Sequence, residues 1–284
     1  MKIALCLSGL VGSVKGQGGS GELLDPAFTY KYIKQNILDQ NSEIDIFIHC
    51  WNTELEEEIR SLYNPKLAIF EKQKIFPKAT KIKDPIDGFG RIKSYFKLKI
   101  NEFLSNDFKN YKAKKKQFAC SRWYSNQQVI NLKKDYEKCK NFTYDYVMIT
   151  RFDVAFFKPV IFTEYKNKFF YASNWNDLPR PENNLKLNYI NNHEGKGFLD
   201  LWFFSNSKNM DLFGELYDKM ENYSVSPHLS SREHLKSFLP DKDIKYTMYR
   251  WEDFEMTRSY FFNDLPPYGS PFKFSTILKK IFND

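Results

Sequence analysis

A largely apolar run with β-branched residues, Tyr144–Thr150, leads directly into a charged pair formed by Arg151 and Asp153. Such a run is typical of a strand buried in an α/β sheet. Ligands of α/β sheets bind at the carboxyl ends of the strands. Because side chains alternate along an extended chain, Arg151 and Asp153 are expected on the same side of this strand. The sequence therefore predicts an α/β fold with a guanidinium beside a carboxylate at its ligand-binding edge.

The other predicted elements alternate between strands and helices. Lys2–Leu7 is a predicted strand, Pro26–Asp39 has the apolar spacing of a helix, and Ile44–His49 is a predicted buried strand. This β–α–β opening predicts a parallel sheet with a right-handed crossover. The later predicted elements are, in chain order, a helix at Glu54–Tyr63, a strand at Leu67–Phe70, helices at Lys93–Leu104 and Ser121–Cys139 separated by the lysine-rich residues 109–116, strands at Phe169–Ala172 and Leu199–Phe204, helices at Ser207–Glu221 and His228–Phe238, and a strand at Ile244–Tyr249.

Length and cysteine content bound the class of protein. A chain of 284 residues can bury a core without disulfides or metals. The four cysteines have no paired spacing, which favours a reducing compartment. No stretch reaches the ~20 apolar residues of a membrane span. The apolar residues 3–11 are expected to be a retained strand rather than a signal peptide. We therefore expect a cytoplasmic protein.

Positive charge is concentrated in residues 72–116, which hold thirteen lysines and Arg91 against four acidic residues. Such a block attracts anionic lipid headgroups, polyanions or diphosphate-linked substrates, and the alternative is a solvated lysine-rich insertion. Residues 272–282 have apolar side chains at helical spacing, which is typical of a helix that docks on its own domain or lies in a membrane interface. These two segments are the candidates for peripheral membrane association.

The charged pair at the end of the predicted strand suits a phosphorylated ligand. A carboxylate such as Asp153 can hold a divalent cation, and a guanidinium such as Arg151 binds phosphate oxygens with two hydrogen bonds. A purely structural ion pair is the alternative. Ser121-Arg-Trp-Tyr-Ser-Asn126 adds hydroxyls, an amide and a guanidinium at a predicted helix start, where free N–H groups favour an anion or a ribose. A simple helix cap is the alternative there.

A further acid, Asp200, lies near the start of the apolar run Phe198–Phe204. A buried carboxylate without a partner is costly, so we expect either a partner or a catalytic purpose. Burial raises the pKa of an acid, which suits a general base that takes a proton from a hydroxyl group. Glu194, in a loop with two glycines, is a less constrained candidate for the same role.

Residues Gly16–Gly21 formally match the dinucleotide-binding pattern Gly-x-Gly-x-x-Gly. That mechanism requires the glycines directly after the first strand and an acid at the end of the second strand. Here the glycines begin nine residues after Leu7, and the second predicted strand ends at His49. A loop that covers a substrate is a better interpretation than a dinucleotide site, and a disordered segment explains the glycines equally well. A dinucleotide-dependent oxidoreductase is an alternative function. The four histidines show no zinc spacing.

Together these segments resemble the GT-A-fold glycosyltransferases, in particular bacterial enzymes that build capsular or lipo-oligosaccharide chains. Arg151-Phe-Asp153 is similar to the family's Asp-x-Asp region, with an arginine in place of the first acid. Lys2–Leu7 with Ser8-Gly9 resembles the first nucleotide-binding loop, and Asp45–Trp51 resembles the second strand. Phe198–Ser205 resembles the strand whose leading acid faces donor and acceptor.

The resemblance implies a GT-A-like domain over residues 1–260, with a mixed, mostly parallel sheet flanked by helices, and a tail at 261–284 that carries the amphipathic helix. It implies transfer of a sugar from a nucleoside-diphosphate sugar to a hydroxyl of a surface glycan, free or lipid-linked, at the inner face of the membrane. A non-enzymatic basic module that uses 72–116 is the remaining alternative. The acidic remainder of the chain argues against it, and no nucleic-acid partner is expected.

The resemblance also implies roles for individual residues. Arg151 and Asp153 hold the diphosphate, with Mn²⁺ or Mg²⁺ bound to Asp153 where a metal is used. Asp200 is expected to act on the acceptor, and Asp253, in a segment similar to the family's Glu-Asp motif, is the second candidate. The residues expected to contact the nucleotide are Ser8, Gly9, Ser121, Arg122, Ser125 and Asn126. The aromatic residues expected to stack on sugar rings are Trp175, Trp202 and Trp251.

Overall fold

The computed structural model describes residues 1–12, 24–82, 106–174, 197–248 and 253–257. The described strands are β1 (Ile3–Gly9), β2 (Ile44–Cys50), β3 (Leu67–Phe70), β4 (Tyr146–Arg151), β5 (Val154–Phe156), β6 (Phe170–Asn174), β7 (Phe198–Ser205), β8 (Ile244–Tyr246) and β9 (Phe254–Met256). The described helices are α1 (Pro26–Ile33), α2 (Glu56–Tyr63), α3 (Asn106–Lys140), α4 (Ser207–Gly214), α5 (Leu216–Lys219) and α6 (Pro227–Lys236). A π-helical turn, Lys34–Leu38, extends α1.

Seven of the described strands form one sheet in the order β3–β2–β1–β4–β7–β6–β8. Strands β3, β2, β1 and β4 are parallel, and β7 is antiparallel to both of its neighbours. Strand β8 is parallel to β6, while β5 and β9 form a separate antiparallel pair. The expectation of a mixed, mostly parallel sheet flanked by helices is confirmed. The predicted domain boundary at 260, the tail, the helix at 93–104 and the glycine loop at 16–21 lie outside the described residues.

The order of the strands defines where a crevice opens. The chain moves outward from β1 to β3 and then returns to the opposite side of β1 with β4. Open α/β sheets bind ligands at the carboxyl ends of the strands where this direction changes. Ser8 near the end of β1 pairs with Arg151 at the end of β4. The antiparallel β7 begins at the same edge, because Trp202 pairs with Thr150.

The side chains of the sheet alternate between two apolar layers. Cys6 of β1 and Ile149 of β4 pack in one layer with Ile130 of α3. Leu5 of β1 packs in the other layer with Ile59 of α2. This alternation is the pattern expected of strands buried on both faces by helices. Among the described residues, no helix combines the length and the apolar character that crossing a membrane requires.

Helix α3 is one continuous helix of 35 residues, so the prediction that residues 109–116 separate two helices is wrong. Lysine has a high intrinsic helix propensity, and neither glycine nor proline interrupts residues 106–140. The predicted helix start at Ser121 is wrong for the same reason. The segment Ser121–Asn126 lies inside α3, where backbone N–H groups are used by the preceding turn. A binding site based on free N–H groups is therefore excluded for this segment.

The predicted helix Ser207–Glu221 is divided into α4, α5 and a 3₁₀ turn, Met220–Asn222. Gly214 ends α4 at a close approach to α3. A Cβ on Gly214 would come within 2.9 Å of Ile130 Cγ2, so a larger residue would push the two helices apart.

A buried charged cluster joins α3 to α4. The Lys133 ammonium is fully buried and donates to Glu137 Oε2 at 2.9 Å, Ser207 Oγ at 2.6 Å and Asp211 Oδ1 at 2.5 Å. Glu137 Oε1 also accepts a hydrogen bond of 2.8 Å from the backbone of Tyr144, just before β4. All three ammonium donors are therefore satisfied. Removal of the ammonium takes away the cation that both carboxylates bind.

We expect Lys133→Ala to lower the free energy of unfolding by about 3–5 kcal/mol, because loss of one partner leaves buried charge uncompensated. Lys134→Ala is the matched control, since Lys134 is the next residue of α3 and is exposed. That control should change stability by less than about 0.5 kcal/mol. Urea denaturation of the two variants measures the difference, and equal effects would contradict a stabilising cluster.

Candidate functional site

Arg151 and Asp153 form a bidentate salt bridge at the carboxyl end of β4. Arg151 Nε donates to Asp153 Oδ1 at 2.8 Å, and Nη2 donates to Oδ2 at 2.6 Å. The Asp153 side chain is 0% exposed, whereas that of Arg151 remains 16% exposed. The Asp153 carboxylate thus fixes the plane of the Arg151 guanidinium, and Nη1 takes no part in this bidentate salt bridge.

Asp153 does not fit the predicted role of metal ligand. Both of its oxygens accept hydrogen bonds from Arg151, and its side chain is completely buried. Mn²⁺ and Mg²⁺ need several oxygen ligands that face the ion. Within the described ranges, no group of three or more His, Cys, Asp or Glu residues is placed to hold a metal. The arginine at position 151 accounts for this, because its guanidinium occupies the carboxylate that would otherwise face the cation.

Arg122 of α3 joins three elements at the site. Its Nη1 donates to Ser8 Oγ at 2.9 Å and to Asn126 Oδ1 at 2.8 Å, while Nη2 donates to the Asp200 carbonyl at 2.6 Å. Burial lowers the pKa of Arg122 to about 10, against the opposing effect of the Asp200 carboxylate. The guanidinium therefore stays charged at neutral pH. Its contacts with protein groups indicate a role in holding the site together.

The loop after β1 leaves room for a ligand. Gly9 has a φ of +109°, and apart from its chain neighbours no atom of the described residues lies within 4 Å of the position that a Cβ would take. A side chain at this position would be strained and would fill the open space. Ser8 donates to Asn126 Oδ1 at 2.7 Å, which holds the end of β1 against α3. Asn126 Nδ2 is buried and has no hydrogen-bond partner among the residues that the structure describes.

Two of the residues expected to contact the nucleotide, Ser121 and Ser125, instead bind protein groups at or just after the ends of β2 and β3. Ser121 Oγ accepts a hydrogen bond of 2.9 Å from Gln73. Ser125 Oγ lies 2.7 Å from Nδ1 of the buried His49, whose Nε2 lies 3.0 Å from Glu71 Oε1. Burial lowers the pKa of His49. This chain of contacts, which no sequence pattern indicates, connects the ends of β2 and β3 to α3.

A β-bulge in β7 directs Asp200 toward the site. Ala172 of β6 pairs with Phe203, but the next residue, Ser173, pairs with Leu199. Asp200 therefore lies among the β7 residues that have no partner in β6, between the paired Leu199 and Phe203. Bulges of this kind change the direction of a side chain. Its carboxylate lies 3.7 Å from Arg122 Nε. The carboxylate thus has a cationic partner, one of the two alternatives expected from the sequence.

The electrostatic surroundings of Asp200 differ from those expected. Burial by itself raises the pKa of this carboxyl group, but His228, Arg122 and Arg151 have the larger combined effect and lower it. The expectation that burial raises the pKa of Asp200 for a role as base is therefore wrong. Asp200 is an ionised carboxylate at neutral pH, and a lowered pKa weakens it as a proton acceptor.

His228, in the first turn of α6, is a site residue to which the sequence pattern assigns no role. Its Nδ1 lies 2.8 Å from the Phe198 carbonyl and 3.2 Å from Asp200 Oδ1. Its side chain is 26% exposed. The sequence shows that Pro227 favours a helix start here. Only the fold shows that this helix begins beside the first residues of β7.

Asp253 lies away from this cluster. The backbone N–H of Phe157 donates to its carbonyl, and Lys158 binds its carboxylate. Asp153 lies at the other end of the β5–β9 pair, where its carbonyl accepts a hydrogen bond from Thr257. The structure therefore does not bring Asp253 to the Arg151–Asp153 pair. Glu194 lies outside the described residues.

The predicted stacking of aromatic residues on sugar rings is not found in the described site. Trp202 is fully buried and packs edge-to-face against Phe254, so its expected stacking on a sugar ring is wrong. His234 is buried, with Nε2 2.8 Å from the Leu212 carbonyl. Trp175, Trp251 and His193 lie outside the described residues.

An open cleft of about 640 Å³ lies at the opposite edge of the sheet, beside Met1 and the start of β4. The Asp145 carboxylate there accepts a hydrogen bond from the backbone of Lys2, and the Tyr146 hydroxyl donates to the Tyr165 carbonyl. These polar groups serve the protein itself. The carboxyl-end crevice, with its charged side chains from β4, β7 and α3, is therefore the candidate site.

No protein-family model matches the chain, and no curated protein matches it. Core-mannan synthase A from Aspergillus fumigatus, in a Mn/GDP form, is similar in structure with 12% identity and a TM-score of 0.45, over 96% of this chain and 82% of that one. Mannosyltransferase Ktr4p from S. cerevisiae has 12% identity and a TM-score of 0.40, over 89% and 70%. Mouse xyloside xylosyltransferase 1, in an apo form, has 8% identity and a TM-score of 0.39, over 87% and 84%. At these values the functional conclusion rests on the site itself.

We expect Asp153→Asn to lower the free energy of unfolding by about 2–4 kcal/mol, because it leaves the enclosed Arg151 guanidinium without its counter-charge. Asp39→Asn is the control, since the Lys34–Asp39 pair is about half exposed. An exposed pair contributes about 0–1 kcal/mol. Chemical denaturation compares the variants, and a loss at Asp153 no larger than that at Asp39 would show that the pair is not a buried one.

The lowered pKa of Asp200 predicts a pH dependence of stability. The folded state binds the Asp200 proton less readily than the unfolded state, whose pKa is about 3.9. This contribution is therefore present above about pH 4 and is lost as the pH falls through the lowered value. Melting temperatures between pH 7 and pH 3 should fall more steeply for the wild type than for Asp200→Asn. Parallel curves would contradict the electrostatic assignment.

Proposed function

We propose that this protein transfers a sugar from a nucleoside-diphosphate sugar to a hydroxyl group of a glycan acceptor. The observation that carries the proposal is the pairing of Ser8 with Arg151 across the point where the strand order reverses. Crevices at such points bind nucleotides in open α/β sheets. The resemblance of these same segments to GT-A glycosyltransferases supports a nucleotide-sugar donor.

The diphosphate of the donor would bind beside Arg151. This guanidinium is held in one plane by Asp153, and its Nη1 lies outside that contact. The open space at Gly9 admits a ligand close to the backbone of the neighbouring strand. A planar guanidinium suits phosphate oxygens, and its charge replaces part of the neutralisation that a metal supplies elsewhere. Asp153 would then act by orienting Arg151.

The acceptor would approach from the side of β7. In the sheet, β4 lies between β1 and β7, so Arg151 separates the nucleotide side from the Asp200 side. Asp200 and His228 lie at this second side, 3.2 Å apart. This order supports the proposal, because it would bring a cation to the departing diphosphate and a proton acceptor to the attacking hydroxyl, as inverting sugar transfer requires.

The acceptor class and the location extend the same proposal. The sequence resemblance favours an acceptor on a growing surface polysaccharide or lipo-oligosaccharide, assembled in the cytoplasm at the inner face of the membrane. Residues 72–116 supply the positive charge that would hold a lipid-linked acceptor near an anionic surface. Part of this charge serves the fold, since Lys74 and Lys78 lie over the rings of Tyr124 and Tyr217.

A thermal-shift panel of UDP-, GDP- and CMP-sugars, with NAD and an oligonucleotide as comparisons, tests the donor class. We expect one nucleotide sugar to raise the melting temperature, also in EDTA, and Mn²⁺ alone to have no effect. A shift with NAD or the oligonucleotide only would contradict the proposal.

Arg151→Lys should weaken binding of that donor at least about tenfold, because an ammonium group cannot reproduce the bidentate hydrogen bonds of a planar guanidinium. Arg60→Lys is the matched control, since Arg60 forms an exposed pair with Glu56. Calorimetric titration of both variants with the donor measures the affinities. Unchanged affinity in Arg151→Lys would remove Arg151 from the diphosphate site.

A further inference from the structure

The contacts of His228 determine which of its ring nitrogens carries the proton. Nδ1 faces two oxygens, the Phe198 carbonyl at 2.8 Å and Asp200 Oδ1 at 3.2 Å. A carbonyl oxygen and a carboxylate oxygen both accept hydrogen bonds and donate none. The neutral imidazole ring has one N–H group, so this N–H is on Nδ1. The lone pair of the ring is therefore on Nε2.

We propose that His228 is the general base of the transfer reaction and that Asp200 is its positioning residue. This inference rests on the proposed function and reverses the role that the sequence suggests for Asp200. Nε2 of His228 would accept the proton of the acceptor hydroxyl, while Nδ1–H remains bound to Asp200 and to the Phe198 carbonyl. The arrangement has the geometry of a carboxylate–imidazole pair in which the acid orients the ring and stabilises its charged form.

Asp200 is poorly suited to take the proton itself. Its side chain is 12% exposed and lies between Arg122 and His228. A carboxylate held by two cationic or donor groups loses that stabilisation when it is protonated. The imidazole of His228 has about twice the exposed fraction of the Asp200 side chain, at 26%.

The bulge of β7 and Arg122 give Asp200 its direction. Arg122 donates to the Asp200 carbonyl at 2.6 Å and lies 3.7 Å from its carboxylate, so both the backbone and the side chain are held from α3. His228 is held from the other side by α6, whose first turn packs on β7. The pair is therefore defined by three elements that belong to the packed core.

The proposed step is a single displacement in which atoms and charge balance. The acceptor oxygen forms a bond to the anomeric carbon as the bond from that carbon to the diphosphate oxygen breaks. The bonding electrons leave with the diphosphate, whose charge Arg151 neutralises. The hydroxyl proton moves to Nε2 and produces an imidazolium, and Asp200 stabilises this charge until the proton passes to solvent.

The test compares His228→Gln, Asp200→Asn and the control His234→Gln in the full chain. His234 is on the same helix but is buried against the Leu212 carbonyl and Tyr223, away from Asp200. We expect His228→Gln to lower kcat by roughly 10²–10⁴-fold, and Asp200→Asn by about 10–100-fold, with donor affinity within about twofold of the wild type in both. The control should lower the melting temperature and leave kcat per folded molecule unchanged.

Added imidazole supplies a second readout that a structural role would not change. It should restore part of kcat in His228→Ala and none in Asp200→Ala. Nitrogen NMR of the histidine rings, with His228→Gln for assignment, should show the proton on Nδ1 of His228 in the wild type. A larger loss of kcat in Asp200→Asn than in His228→Gln, or a proton on Nε2, would overturn the inference. A wild-type protein without donor binding or transfer would instead overturn the proposed function.

Discussion

The buried guanidinium of Arg122 is the contact on which the arrangement of the site depends. It binds Ser8 at the end of β1, the side chain of Asn126 on its own helix, and the Asp200 carbonyl in β7. These residues come from parts of the chain that are far apart in sequence. A buried charge with hydrogen-bond partners on three elements is costly to displace, so it sets the spacing of β1, α3 and β7. Every later feature of the crevice follows from that spacing.

Two carboxylates and two guanidinium groups lie in this crevice, and each carboxylate has a different arginine as its partner. Both carboxylate oxygens of Asp153 accept hydrogen bonds from Arg151, whereas Asp200 lies between Arg122 and His228. The arginine at position 151 therefore affects Asp153 as well. Asp153 binds the Arg151 guanidinium and orients it instead of facing a metal ion. The donor phosphate would then meet a fixed guanidinium on a rigid strand end, which is a pre-organised way to stabilise developing negative charge.

The rigid part of the protein lies directly beneath the site. Helix α3 covers one layer of the sheet, and its buried Lys133 is bonded to Glu137, Ser207 and Asp211. This cluster holds α4, and hence the end of β7, against the centre of the sheet. The site residues of β4 and β7 thus lie on elements whose own contacts are satisfied. Such support keeps catalytic groups within the small tolerances that proton transfer requires.

The sequence by itself determined the sheet and the strand-end pair, because apolar runs and alternation are local properties. Arg151 and Asp153 directly follow Tyr144–Thr150 in the sequence, so they lie at the end of that strand wherever it is placed in the sheet. It did not determine α3 as one helix, since lysine-rich segments suit either a helix or a loop. Only the tertiary structure brings Asp200 and His228 into contact. The bulge in β7 and the packing of α6 bring together residues 28 positions apart, and the charges of His228, Arg122 and Arg151 then reverse the shift in the pKa of Asp200 that burial alone predicts.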